Sequence, residues 1–382
     1  MNNKIPFVLL FSISILAPAA VASNAISGGV WFNHRNVLVE DDFNDAEQRD
    51  QATLGDIQSE ALILYLDYQK KESPWKVSAE WRAGPGSFTD PANNSSGDNF
   101  GFHKAWVAYH FNDSSTITVG KSQVPFGWKT TNFWPGDMAL GGYGDQLDVG
   151  IKYSSTLDRI HYDLAWFVAD DFGETSTDTM DDNNHWGSST TYRKVNTAVA
   201  NISFAVTKDH TIGLSYQSGK LQDNSSVNAG SNDSLVDVAD DSIFGSHDAW
   251  DIWYQGKIGA IGVWAQILGT TRNNLDDVAS GPVGADKTKT QRLAATVSYS
   301  SGPFNYYLDF TKASTDTDGN GAGDMVAWAP GVSYNYGPGW FYVEYLTQTN
   351  YIDRNGDVSD MGDTSNTDYK FSALYLTVDY YF

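Results

Sequence analysis

The side chains in this chain that can do chemistry are carboxylates and cations far more than nucleophiles. Of 382 residues, 47 are Asp or Glu, 24 are Lys or Arg, seven are His and none is Cys. Without cysteine there is no disulfide framework, thiolate metal site or cysteine nucleophile. The histidines His34, His103, His110, His161, His185, His210 and His247 are scattered over different strands and loops, and neither Gly-x-Ser-x-Gly nor His-Glu-x-x-His occurs. A hydrolase would need a nucleophile activated by such a base. Asp316 to Gly321 opens like a calcium loop, but Ala327 stands where the bidentate Glu of an EF-hand belongs. The segment reads as a solvated turn, with weak divalent bridging between acidic loops as the most it offers. A net charge of −23 argues against a nucleic-acid partner, since neutralising phosphates needs a basic face. No cofactor is implied.

What the charged residues share is spacing. In Trp75 to Arg82, Lys76, Glu80 and Arg82 occupy even positions, while Trp75, Val77, Ala79 and Trp81 occupy the odd ones. That period of two gives a strand with one wet, charge-bearing face and one greasy face. The same alternation runs through residues 159–166, 211–217, 292–299 and 304–311. The chemistry is that of a charge-lined surface backed by an apolar one.

These strands must be positioned by their connections, which come in two alternating sizes. Short turns fall at 70–73, 112–114, 155–158, 207–209, 259, 301–303 and 337–339. Long connections, rich in Asp, Asn, Gly and Ser, fall near 40–56, 84–99, 123–145, 170–191, 219–246, 271–289, 314–324 and 351–369. Such alternation predicts an all-β chain of about sixteen strands closed into a transmembrane antiparallel barrel. Ahead of it, Lys4, the apolar run Ile5 to Leu16 and Ala20-Val21-Ala22 form a secretory signal cut after Ala22. The expected domains are residues 1–22, the signal, and 23–382, the barrel. Tyr65, Tyr68, Tyr109, Phe111, Tyr334 and Tyr336 gather where strands end, as interfacial girdles do. The last strand places Leu374, Leu376, Val378, Tyr380 and the final Phe382 on one face.

That C-terminal strand resembles the end by which the outer-membrane assembly machinery recognises its barrels. Val119-Gly120-Lys121-Ser122-Gln123-Val124-Pro125-Phe126-Gly127-Trp128 resembles the start of the third loop of the phosphate-selective porin O and P family of Gram-negative bacteria. The resemblance implies a homotrimer in the outer membrane, in contact with lipid bilayer and lipopolysaccharide, whose third loop folds into each barrel. The residues favour the same inward fold. Pro125, Gly127, Pro135 and Gly136 break a strand, while Phe126, Trp128, Phe133 and Trp134 need a surface to pack on. Pro125, Phe126, Gly127, Lys129, Asp137 and Asp145 are the expected constriction. Strict alternation aims Lys121 at lipid, and a bulge at Gly120 would re-aim it.

Alternation places Lys76, Glu80, Arg82, Lys104, Trp106, Lys152, Arg159, Asp163, Asp251, Trp253 and Arg292 on the lumen. This mixed lining, with acidic outer loops, argues against carrying the phosphate label over. The expected function is passive diffusion of small hydrophilic solutes. The alternatives are a channel specific for phosphate-type anions or for sugars, the latter stacking on Trp106, Trp253, Trp264 and Trp340, and an outer-membrane hydrolase.

Overall fold

The computed structural model describes residues 25–40, 56–58, 62–84, 100–127, 146–172, 188–189, 192–223, 243–273, 287–352, 356–360 and 370–382. The expected signal, residues 1–22, lies outside them. Sixteen long strands run in chain order: β1 (Ile26–Glu40), β2 (Leu62–Gln69), β3 (Trp75–Ala83), β4 (Phe100–Asn112), β5 (Ser115–Gln123), β6 (Leu147–Leu157), β7 (Ile160–Ala169) and β8 (Tyr192–Thr207). They continue as β9 (His210–Asp223), β10 (Ile243–Ile258), β11 (Ile261–Asn273), β12 (Lys287–Ser301), β13 (Phe304–Thr315), β14 (Met325–Asn335), β15 (Trp340–Thr349) and β16 (Phe371–Tyr381). Two short pieces, Asp56–Gln58 and Ser188–Ser189, extend the same sheet.

Each strand pairs antiparallel with its sequence neighbours, and β1 pairs β16 from Gly29 opposite Tyr381 to Glu40 opposite Phe371, which closes the barrel. Closure leaves no sheet edge, so backbone groups are satisfied within the wall where a bilayer offers no water. At the seam Gly28 and Phe382 exchange two backbone hydrogen bonds of 3.0 and 2.9 Å.

The wall is built inside out relative to a soluble protein. Phe304, Tyr306 and Leu308 are exposed on the outside, whereas Tyr307, Asp309 and Thr311, alternating with them, are buried on the inside. Rings crowd the short-turn end of the outer face: Trp75 meets Tyr109 at 4.9 Å, Tyr109 meets Phe111 at 5.2 Å, and Phe304 meets Tyr334 at 4.9 Å. This is an interfacial girdle. Strands β9 and β10 reach beyond the loop limits read from composition: Lys220 still pairs Ser246, and Leu221 pairs Gly245. Ladder hydrogen bonds continue there despite polar side chains, because strand propensity is set by context more than by residue type.

Candidate functional site: the lumen

The third long connection leaves the wall at β5 and turns inward. Val124 and Phe126 are buried in a cluster with Phe167 of β7, Val199 of β8, Ala249 of β10 and Leu268 of β11. These four wall positions face the lumen, where alternation elsewhere supplies polar groups. They form an apolar dock on a surface that would otherwise be wet. Gly127 N donates to Ser215 Oγ of β9 at 3.1 Å. With φ of 60°, Gly127 sits where L side chains are strained, and a Cβ there would collide with Oδ2 of Asp251 and Oε1 of Gln266. A glycine is therefore needed for the loop to lie this close to the wall.

Charged groups clasp both ends of that loop. Gly120 has φ of 120°, and the following Lys121 is fully buried, with Nζ 3.0 Å from Asp171 Oδ1. The lipid-facing orientation that strict alternation gave Lys121 is thus corrected; the departure sits at Gly120, although the ladder keeps its register there. At the loop's far end, Lys194 Nζ bonds Gln146 Oε1 and lies 3.5 Å from Asp148 Oδ2. Opposed charges taken out of water are tolerated when paired and hydrogen-bonded, so these groups fix where the loop departs and returns.

The second feature was not anticipated. After β15, Tyr351–Ile352 pairs with Val358–Ser359 as a small hairpin, and its Ile352 and Val358 are buried against Ala313, Met325, Ala327, Leu346 and Ala373. From its composition, Asp316 to Gly321 in the loop beside it reads as a solvated turn. Instead Asn320 Nδ2 donates to Asp357 Oδ2 at 2.7 Å and to Val358 O at 2.9 Å. Asn320, from the calcium-like segment, thus serves as a pin. Among the described residues no group of three or more His, Asp or Glu is placed to hold a metal ion.

On β3 and β4, Lys76, Lys104 and Trp106 stay partly exposed. Arg82 Nε donates to Glu80 Oε1 at 2.9 Å, Lys104 Nζ lies 3.9 Å from Glu80 Oε2, and the Arg82 guanidinium sits 5.1 Å from the Trp31 ring. Lys76 sits 5.7 Å from the Trp106 ring. On β6, Lys152 Nζ donates to Gln123 O at 2.7 Å, at the foot of the third loop. Arg35, unnoticed in the sequence, stands opposite the buried Tyr375 and so faces the same space. Its signal was available in the alternation of Trp31, Asn33 and Arg35.

The remaining expected residues divide. Asp163 accepts from Ser154 Oγ at 2.6 Å and Asn201 Nδ2 at 2.9 Å, and Asp251 accepts from Ser215 N at 2.9 Å. Ring atoms of Trp253 cover Gly213 and those of Trp264 cover Gly262; Trp253 is buried and Trp264 stays partly exposed. Arg292 Nη2 donates to Gly356 O at 3.0 Å beneath the last loop. Arg159 is corrected: it occupies the exposed two-residue turn between β6 and β7, because β6 runs on to Leu157 and leaves only Asp158 and Arg159 to reverse the chain. Lys129, Asp137 and Asp145 lie outside the described residues.

A closed sixteen-stranded barrel with a polar interior, an apolar exterior and a loop turned into its lumen is the architecture of a porin. The sequence pattern of the family described as phosphate-selective porin O and P matches residues 32–132. No curated protein matches the chain. The fold is similar to that of outer-membrane expressed OmpT of Vibrio cholerae, with TM-score 0.58 and 10% identity over 95% of this chain and 99% of that one. It is also similar to the outer membrane channel DcaP of Acinetobacter baumannii, at 0.55 and 13% over 94% and 96%. The anion-selective porin from Comamonas acidovorans gives 0.54 and 12% over 94% and 98%. The chain is an outer-membrane channel, in the envelope of a Gram-negative bacterium.

Proposed function

We propose that the channel passes small hydrophilic solutes by passive diffusion, through a lumen narrowed where the start of the third loop, Val124 to Gly127, seats on the inner wall. The observation that carries this reading is the seating of Val124 and Phe126 on the water-facing side of the wall, with Gly127 bonded to Ser215. A segment held there takes up part of the lumen, and the charges left on the wall act on whatever passes. Reconstitution into planar bilayers is the test: stepwise, ohmic conductances are expected, and their absence from folded protein overturns the reading.

A second reading, preference for phosphate-type anions, is favoured by one observation. Among the described charges on the lumen face of β1 to β6, Arg35, Lys76, Lys104 and Lys152 are partly exposed cations, set against the exposed carboxylate of Asp67 and a buried Glu80 held by Arg82. Reversal potential in a salt gradient decides it. For the sugar reading, Trp106, Trp264 and Trp340 stay partly exposed, while Trp253 is buried against Gly213. The hydrolase reading meets one arrangement, Thr156 Oγ1 2.9 Å from His161 Nδ1 with His161 Nε2 3.1 Å from Asp163. Those residues lie on paired strands whose backbone N–H groups serve the ladder, leaving no donor pair for an oxyanion. We assign them to wall bracing and the chain to no catalysis. A homotrimer, lipopolysaccharide contact, recognition of Phe382 by the assembly machinery and weak divalent binding at acidic loops belong to the same proposal; one similar structure, of Vibrio cholerae OmpT, is described as a trimer form.

A further inference from the structure

We infer that the hairpin at the start of the last loop, Tyr351–Ile352 with Val358–Ser359, is a second size-limiting element of the pore, seated on its own dock and acting together with the start of the third loop; this rests on the channel reading above. Three observations converge. First, the lumen-facing positions of β13 to β16 turn apolar near the loop: Ala313, Ala327, Leu346 and Ala373 alternate in register with outward residues such as Trp328, yet stand where water would be. An apolar patch on a wet wall is stabilised only when something covers it. Second, Ile352 and Val358 cover it, and Val358 has no exposure left. Third, polar ties hold the hairpin from two sides. Arg292 reaches Gly356 O from β12, and the 316–324 loop supplies Asn320 to Asp357 and Gly323 N to Asp360 Oδ1 at 3.1 Å.

The third-loop dock spans β7 to β11 and the last-loop dock β13 to β16, so two segments enter the lumen from different sectors. Asn320 is a positioning residue for this second element. Its role is tested by Ile352→Asp with Val358→Asp, which removes the packing, and by Asn320→Ala, which removes the pin. Single-channel conductance of folded trimer should rise by about 1.5-fold or more in the double variant and less in Asn320→Ala, with liposomes admitting larger sugars. Unchanged conductance and sugar cut-off, with heat-modifiable mobility showing an intact barrel, would overturn the inference. Silence of the wild-type protein would instead overturn the channel reading. Should the double variant not fold, Asn320→Cys with Asp357→Cys in this cysteine-free chain gives a second route. A cross-link formed in isolated outer membranes, with wild-type conductance, is expected. Failure of the two cysteines to bridge under oxidation in folded protein overturns the tuck.

Discussion

The lumen wall has two arcs of opposite construction. From β7 to β16 it carries apolar docks, Phe167, Val199 and Leu268 on one side and Ala313, Leu346 and Ala373 on the other, and loop segments sit on both. From β1 to β6 it keeps Lys76, Lys104, Trp106 and Lys152 partly exposed. The difference teaches that in a barrel the informative residue is an apolar one on the wet face. Outside, apolar side chains are demanded by lipid and say nothing of position. Inside, they cost free energy unless covered, so they mark where a loop lands.

The strongest way to break this contrast is to evict the third loop. Gly127→Leu adds a side chain where even a Cβ meets Asp251 and Gln266, at a φ that disfavours it. The expected result is a rise in single-channel conductance of about two-fold or more, with the barrel still folded. Unchanged conductance would mean that the docked start of the loop does not limit the pore.

The open arc is probed by charge. Lys76→Ala with Lys104→Ala should lower the chloride-over-potassium permeability ratio by about two-fold at 0.1 M salt and by less at 1 M, where the Debye length shortens from about 10 Å to about 3 Å. Reversal potentials at both salts report it, and an equal shift at both would remove the wall charges as the cause.

The smallest effect is expected beside the last-loop dock. The hydrogen bond from Lys312, whose Nζ lies 2.6 Å from Asp324 Oδ2, is the first cause that holds the Asp324 carboxyl below its ordinary value. A depressed carboxylate stabilises the fold at neutral pH, and that contribution is lost as pH falls through its lowered value. Both side chains are nearly half exposed, so solvent screening limits the effect. Lys312→Ala should cost under about 0.5 kcal/mol at pH 7, and the difference from wild type in urea unfolding should vanish once Asp324 is protonated.

Much of this fold was legible. The alternation in Phe304 to Thr311 named both faces of its strand correctly, and the lengths of the connections gave the number of strands. The inward turn at Pro125 to Gly127 could be read because a strand breaker sits beside rings too apolar for water. The last loop could not be read in the same way. Its Ile352 and Val358 are single apolar residues in a polar stretch, and the partners that explain them, Ala313, Ala327 and Ala373, come from three other strands. Alanine on a lumen face gives no signal by itself, since it is small enough to be tolerated anywhere. Arg159 failed for a different reason: alternation carries no information about the residue at which a strand stops.

Periodicity and connection length, properties of neighbours along the chain, determined the barrel, its lipid face and its wet face. Tertiary structure alone decided which parts of the wet face stay wet. That depends on the meeting of Gly127 with Asp251, more than a hundred residues apart along the chain, and of Val358 with wall residues from Ala313 to Ala373 on four different strands. Van der Waals contact over such separations is set by closure of the barrel, which no local pattern encodes.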